Sequence, residues 1–189
     1  MSQSETGVTF TRHDAVSAAG IFGTVIVPVY EASHADVSSN PFYSTERFAE
    51  RVRGYMRAPG FELVAAHADG RPIGQAFGYA LQPGARWWDG LTTPVPEGFT
   101  GETGRRTFAL NELMVQPQWQ RRGIAHALHD ELLSARPEER ATLLVRVDND
   151  PAQTAYARWG WQKVAKLRPF PDSPLFDALI LPLPVRSPK

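Results

Sequence analysis

Apolar and polar positions along the chain separate into helical and strand periods. Val8 to Arg12 reads as a short edge strand, and Asp14 is placed to cap a helix starting near Ala15. That helix stays apolar through Val29, but Gly20, Gly23 and Pro28 make it irregular. His34 to Pro41 is a polar loop. Phe48, Val52, Tyr55 and Met56 then recur at helical spacing, with Ser44 as the N-cap and Pro59-Gly60 as the stop. A hairpin follows: Phe61 to Ala66, a turn at Asp69-Gly70, and Pro72 to Leu81. Its second strand turns Ile73, Phe77, Tyr79 and Leu81 to one face and Gly74, Ala76, Gly78 and Ala80 to the other. A face of small residues admits a close neighbour, and a helix is the expected one, with a channel as the alternative.

Residues 82–106 form the least regular stretch, an insertion loop holding Trp87-Trp88, Asp89, Glu97 and Glu102. Adjacent tryptophans argue against simple disorder; they either pack over a core edge or form a lid or substrate wall. Phe108 to Val115 is the central strand. Ile124, Leu128 and Leu132 share one face of the helix after it, within the helical run Ala125 to Ala135, and Pro137 marks its end. Thr142 to Val147 is the next strand, with Leu143 to Val147 as its apolar run. Asp150 is then read as an N-cap, Pro151 as the first helical residue and Gly160 as the C′ glycine. Trp161 to Leu167 and Phe176 to Leu183 close the chain as strands. No repeat or linker divides the 189 residues, so a single domain is expected.

Composition narrows the chemistry. Formal net charge is zero, so no long-range field draws the chain to nucleic acid or an anionic membrane. With no cysteine, disulfides, thiolate metal sites and a cysteine acyl-enzyme are excluded. Met1 to Gly7 is polar and lacks a basic leader, and the apolar run Ile21 to Tyr30 is too short to span a bilayer. A cytoplasmic location is the expectation. Arginine far outnumbers lysine, a coding bias of GC-rich bacterial genomes. His126, His129 and Asp130 lie within one helical turn, as metal ligands do. With no further ligand set, the histidines are read as solvated and no metal is expected.

The chemistry concentrates at Gln120-Arg121-Arg122-Gly123-Ile124-Ala125, between the central strand and its helix. The first N–H groups of a helix lack partners within it and favour an anion, most readily a phosphate. Gly123 lets the backbone come close, and Arg121 and Arg122 add charge; the plainer reading is a solvated basic turn. Downstream stand Asn149, Ala152, Tyr156, Gly160 and Trp161. Together the two blocks, Gln120 to Ala125 and Asn149 to Trp161, resemble the GNAT family of N-acetyltransferases. Its signatures are (Q/R)-x-x-G-x-(G/A) and N-x-x-A-x-x-x-Y-x-x-x-G-(F/W). The resemblance covers residues 107–165 well and the ends loosely. It implies an α/β fold, with a mixed, mostly antiparallel sheet of about seven strands and helices on both faces.

The resemblance also implies roles. The Gln120–Ala125 loop would hold the diphosphate of acetyl-CoA. The backbone of Leu113, Met114 and Val115 would hydrogen-bond the pantetheine arm where the central strand splays from its neighbour. Glu112 would be the general base, directly or through water, against the alternative of a structural carboxylate. Its apolar strand neighbours Leu110 and Met114 should raise its pKa. Tyr156 would protonate the departing thiolate, against a core tyrosine with a satisfied hydroxyl. Asn149, with Ala152 beyond it, would meet the pantetheine amides, against simple turn formation. The function expected is direct acetyl transfer from acetyl-CoA to an amine, without a metal. The acceptor is expected to be a small molecule, with a peptide or protein amine as the alternative. Tyr30, Tyr43, Trp87, Trp88 and the acidic residues of 82–106 are candidates to line a pocket for a cationic amine. A non-catalytic acyl-CoA-binding module and a transferase of a larger acyl group remain open, as does a homodimer.

Overall fold

The computed structural model describes residues 7–36 and 39–185. Met1–Thr6 of the polar start and Val37-Ser38 of the polar loop lie outside the described residues. Seven strands are present: β1 (Val8–His13), β2 (Glu62–Ala68), β3 (Arg71–Ala80), β4 (Thr107–Val115), β5 (Arg140–Arg146), β6 (Gln162–Leu167) and β7 (Phe176–Pro182). They form one sheet in the order β1-β2-β3-β4-β5-β7-β6. β1–β2, β2–β3, β5–β7 and β6–β7 are antiparallel and β4–β5 is parallel, so the sheet is mixed and mostly antiparallel. The helices are α1 (Ala15–Gly20), α2 (Val27–Ser33), α3 (Thr45–Tyr55), α4 (Ile124–Leu133) and α5 (Asp150–Arg158). The chain groups into two compact units, residues 1–79 with 110–135, and residues 80–109 with 136–189.

In the first unit, Asp14 caps α1 by accepting from the Ser17 N–H at 2.9 Å, and Ser44 caps α3 by accepting from Arg47 N–H at 3.3 Å. The irregularity expected after Gly20 is a π turn over Phe22–Ile26 that joins α1 to α2. Such a turn withdraws carbonyls from the regular ladder. Gln75, wholly buried on β3, answers one of them: its Nε2 donates to Ile26 O at 3.0 Å. α3 ends at Tyr55, four residues before Pro59, and a turn carries the chain on to β2. The β2–β3 turn puts Asp69 at φ +48° and Gly70 at φ +73°, the left-handed pair a tight hairpin requires.

The two faces of β3 separate as expected. Phe77 joins a core with Ala18, Ile26, Val29, Tyr30, Phe48 and Val52 from α1, α2, α3 and the π turn. On the other face, a Cβ at Gly74 would stand 3.1 Å from Leu128 Cδ1 of α4 and 2.9 Å from Met114 O of β4. A helix therefore covers the small-residue face at Gly74, and helices lie on both faces of this part of the sheet.

In the second unit, β5 pairs with β7 over all seven of its residues, Arg140–Arg146. Its parallel ladder with β4 runs over three pairs, Thr107–Ala109 against Arg140–Thr142. Asn149, not Asp150, caps α5: its Oδ1 accepts from Ala152 N–H at 3.2 Å, which makes Asp150 the first helical residue. Asparagine and aspartate cap equally well, so adjacency left the start of α5 one residue uncertain in the sequence. Gly160 follows the cap residue Trp159 with φ +90°, the left-handed C′ glycine expected.

Residues 82–106 are held to their own unit by specific bonds. Thr92 N–H donates to Lys166 O at 2.9 Å, and Arg168 N–H to Gly90 O at 3.0 Å. The Glu102 carboxylate, almost fully buried, accepts from Trp88 Nε1 at 2.9 Å, Thr107 Oγ1 at 3.0 Å and Arg140 Nη2 at 3.2 Å. A buried carboxylate is tolerated only with such partners.

Candidate active site

Strand β4 ends at Val115 and gives way to a short 3-10 turn, Pro117–Trp119, and then to the basic loop. Three bonds fix this path. Gln116 N–H donates to Ile73 O at 2.9 Å, Gln116 Nε2 to Pro72 O at 3.1 Å, and Gln120 Nε2 to Val115 O at 3.1 Å. Gln120 therefore braces the loop against the strand that feeds it. Arg121 at φ +60° and Gly123 at φ +78° are both left-handed. Alternation of that kind turns successive N–H groups to one side and builds an anion-binding concavity. Gly123 is also the N-cap of α4, and no side chain caps the helix. Its opening N–H groups are thus left to solvent or to an anion. A Cβ at Gly123 would meet nothing within 4 Å, so the backbone angle, rather than a close neighbour, demands glycine. Arg121 and Arg122 are exposed, and the Arg122 guanidinium lies 4.9 Å from the centroid of Trp119.

Ile124, Leu128 and Leu132 anchor α4 in the core, and Ala125 is half-buried. The reading of both histidines as solvated fails at His129, which is wholly buried. A wider apolar stripe than a single row takes it inside. Its Nδ1 lies 2.8 Å from Asp130 Oδ1, and burial lowers its pKa. His126 is exposed, with Nε2 3.6 Å from Asp130 Oδ2.

On β4, Glu112 shares a face with Met114, which belongs to the core beneath α1–α3. About a fifth of the Glu112 side chain, 22%, reaches solvent, and burial pushes its pKa up to about 7. The opposing cation is Arg51 of α3, whose Nη2 lies 3.8 Å from Glu112 Oε1. That is close enough for charge to act and too long for a hydrogen bond. Arg51 Nη1 is buried and has no hydrogen-bond partner among the described residues.

Tyrosines surround the pair. Tyr30 and Tyr55 both have raised pKa values, from burial first and then from the Glu112 charge, with Arg51 acting in the opposite direction. The Tyr55 and Tyr79 rings lie 5.5 Å apart, and a hydrogen bond from Asn111 tempers the burial-raised pKa of Tyr79. Tyr30 is itself a core side chain: its ring stacks on Phe48 at 3.7 Å, and its hydroxyl donates to Tyr43 O at 2.9 Å. Tyr43 is half-buried on the 3-10 turn before α3. Arg51, Tyr55 and Tyr79, which gather near Glu112 or its neighbours, are not among the candidates the sequence offers. A signal for Arg51 was present, because a lone arginine sits inside the apolar stripe of Phe48, Val52 and Tyr55.

Leu113 is half-buried, while Met114 and Val115 are buried. All three lie beyond Ala109, where the ladder to β5 ends. The remaining candidates belong to the second unit. Asn149 spends its Oδ1 on the α5 cap, and Ala152 supplies the amide it caps. Tyr156 is half-buried on α5 and meets Trp159 and Trp161 edge-on at 5.4 and 6.0 Å. Trp88 is pinned on Glu102 as described, and Trp87 is half-buried beside it. Two acidic residues of the segment are paired within their own unit, Asp89 with Arg86 at 2.9 Å and Glu102 with Arg140 at 3.2 Å.

Residues 95–170 match the model of the acetyltransferase (GNAT) domain family. No curated protein sequence matches the chain. Among solved structures, Ard1 from Thermoplasma volcanium aligns at 16% identity with a TM-score of 0.59, covering 94% of this chain and 98% of its own. The ribosomal-protein-S18-alanine N-acetyltransferase from Escherichia coli aligns at 18% identity and a TM-score of 0.58, with 96% of each chain covered. A GNAT family acetyltransferase from Elizabethkingia anophelis, with acetyl-CoA bound, aligns at 15% identity and a TM-score of 0.60, covering 95% of this chain and 100% of its own. The fold is that of the GNAT acetyltransferases. The GNAT domain match at residues 95–170 takes in both the β4–loop–α4 segment and the Asn149–Trp161 block. Among the described residues, no helix is long and apolar enough to cross a membrane.

Proposed function

We propose that this protein is an N-acetyltransferase that moves an acetyl group from acetyl-CoA directly to a primary amine of a small molecule. The observation that carries the reading is the left-handed pair Arg121 and Gly123 opening an uncapped α4 at the end of β4. Amides so arranged suit the coenzyme diphosphate, and the two arginines add charge. The short β4–β5 ladder supports a second contact. The backbone of Leu113, Met114 and Val115 lies beyond it and would pair with the pantetheine arm. One N–H there would polarise the thioester carbonyl as charge develops on its oxygen.

In the reaction the amine nitrogen attacks the carbonyl carbon, the carbon–sulfur bond breaks, the nitrogen loses a proton and the thiolate gains one. Glu112, with its pKa near 7, accepts the amine proton directly or through water. Tyr156 supplies the thiolate proton; the support is its spacing from Asn149, which matches the family block. The absence of cysteine agrees with direct attack rather than a cysteine acyl-enzyme.

Calorimetry with acetyl-CoA, followed by thiol release against amines, amino acids, aminoglycosides and peptides, tests the reading. Binding with turnover on a small amine supports it. Binding without turnover on any amine would instead mark a non-catalytic acyl-CoA module. Preference for propionyl- or succinyl-CoA in the same assay would mark a transferase of larger acyl groups.

A further inference from the structure

The sequence offers Tyr30, Tyr43, Trp87, Trp88 and the acidic residues of 82–106 to a cationic amine. Of the acidic residues, Asp89 and Glu102 are neutralised by arginines of their own unit. The charge beside Glu112, that of Arg51, is of the other sign. Arg51 and Arg47, one helical turn apart on α3, flank the half-buried ring of Phe42 at 5.9 and 4.7 Å. Arg51 is the one that faces the candidate base; its side chain, 19% exposed, also hydrogen-bonds the Tyr30 and Tyr55 hydroxyls and is still only partly satisfied. One terminal nitrogen stands 3.8 Å from Glu112, and the other is buried without a partner among the described residues. A guanidinium has five donors in a planar fork, and carboxylates fit that fork with two parallel bonds. Leaving a buried cationic donor unmade costs free energy that a bound anion would recover.

Building on the N-acetyltransferase reading, we propose that the acceptor amine also carries a carboxylate, as in an amino acid, and that Arg51 binds this carboxylate while Glu112 receives the amine. The Arg51–Glu112 pair then divides between the two ends of a zwitterion. Each protein charge exchanges a long, imperfect contact for a short one. Tyr30 and Tyr55 both feel the Glu112 and Arg51 charges; Tyr30 is core, and the half-buried Tyr55 sets an aromatic ring with a hydroxyl tip beside the pair, suited to a compact polar molecule with an apolar body. Arg51 acts here on specificity, not on the bond-making step.

The test compares matched acceptors: amino acids, their decarboxylated amines and their methyl esters, in a thiol-release assay on the full chain. The wild-type protein is expected to favour the free carboxylate by at least tenfold in kcat/KM, chiefly through KM. In Arg51→Gln that ratio should fall toward one, and Arg51→Lys should recover part of it. Acetyl-CoA affinity by calorimetry identifies any variant that has lost its fold. Equal rates on carboxylated and decarboxylated amines would overturn the proposal, yet leave the transferase reading intact. So would an undiminished preference in a folded Arg51→Gln. Loss of turnover on every amine would remove both readings together.

Discussion

Arg51 Nη2 stands 3.8 Å from Glu112 Oε1, so the candidate base is held beside a cation without a hydrogen bond to it. Two influences therefore oppose each other on one carboxyl group. Burial raises its pKa, the arginine lowers it, and burial prevails with a value of about 7.

The rate should follow that balance. Turnover is expected to rise with pH through a limb near 7 as Glu112 ionises. Replacing Arg51 with Met removes the cation and should move the limb upward. Glu112→Gln should lower turnover at least tenfold and abolish the limb. A pH–rate series on the three proteins checks this, and an unchanged limb in Glu112→Gln would remove Glu112 as the base.

Stability carries the same sign information. The folded pKa of Glu112 lies above its ordinary value of 4.5, so the folded state holds the proton more tightly than the unfolded state. Its contribution to stability is greatest below about pH 4.5 and is lost as pH rises toward 7. The loss amounts to at most about 3 kcal/mol. Glu112→Gln cannot lose a proton and should gain in relative stability across that window. Thermal melts of both proteins at pH 5 and pH 8 measure the difference.

Tyr156→Phe keeps the ring and its edge-on contacts with Trp159 and Trp161 while removing the hydroxyl. Turnover should drop at least tenfold with little change in acetyl-CoA affinity, because the proton is needed at the leaving step rather than in binding. Parallel rate and calorimetric measurements separate the two effects, and full turnover would take Tyr156 out of the mechanism.

Gly123 holds φ +78° with open space where a side chain would go. A β-branched residue such as Val resists that angle by about 1–3 kcal/mol. Gly123→Val should therefore distort the opening of α4 and weaken acetyl-CoA binding at least tenfold in calorimetry. Gly123→Asn, which tolerates left-handed backbone better, should retain more affinity. Wild-type affinity in Gly123→Val would end the diphosphate-loop reading.

Gly74 answers to packing instead. Any Cβ there would stand 2.9 Å from Met114 O, backbone that has little room to move. Gly74→Ala should destabilise the fold by about 1–3 kcal/mol and shift β4 where it carries Glu112 and Met114. A lower melting temperature together with a reduced rate is the expected pair of results.

Much of this architecture was legible in the residues. The hairpin at Asp69-Gly70, the caps at Asp14 and Ser44, the C′ glycine at 160 and the small face at Gly74 are local signals, and each appears in the structure. What escaped the sequence depends on distant parts of the chain. Arg51 meets Glu112 sixty-one positions away in sequence only after α3 packs on the sheet. His129 is buried because α4 turns a broad stripe inward. Trp88 reads equally well as a lid or as core until Glu102 and Arg140 are seen to hold it. The α5 start shifted by one residue because two capping side chains stand side by side.

The widened turn at Phe22–Ile26 has a lasting effect on everything downstream in α2. In effect it is one surplus residue absorbed by a helix. Excising a single residue there would restore an even coil and rotate the following side chains by about 100° around the axis. Tyr30 would swing off Phe48, the wall beside Glu112 would face elsewhere, and Gln75 would be left holding out its amide to nothing. The odd extra residue is thus what sets the angular position of the side chains that flank Glu112 from this side.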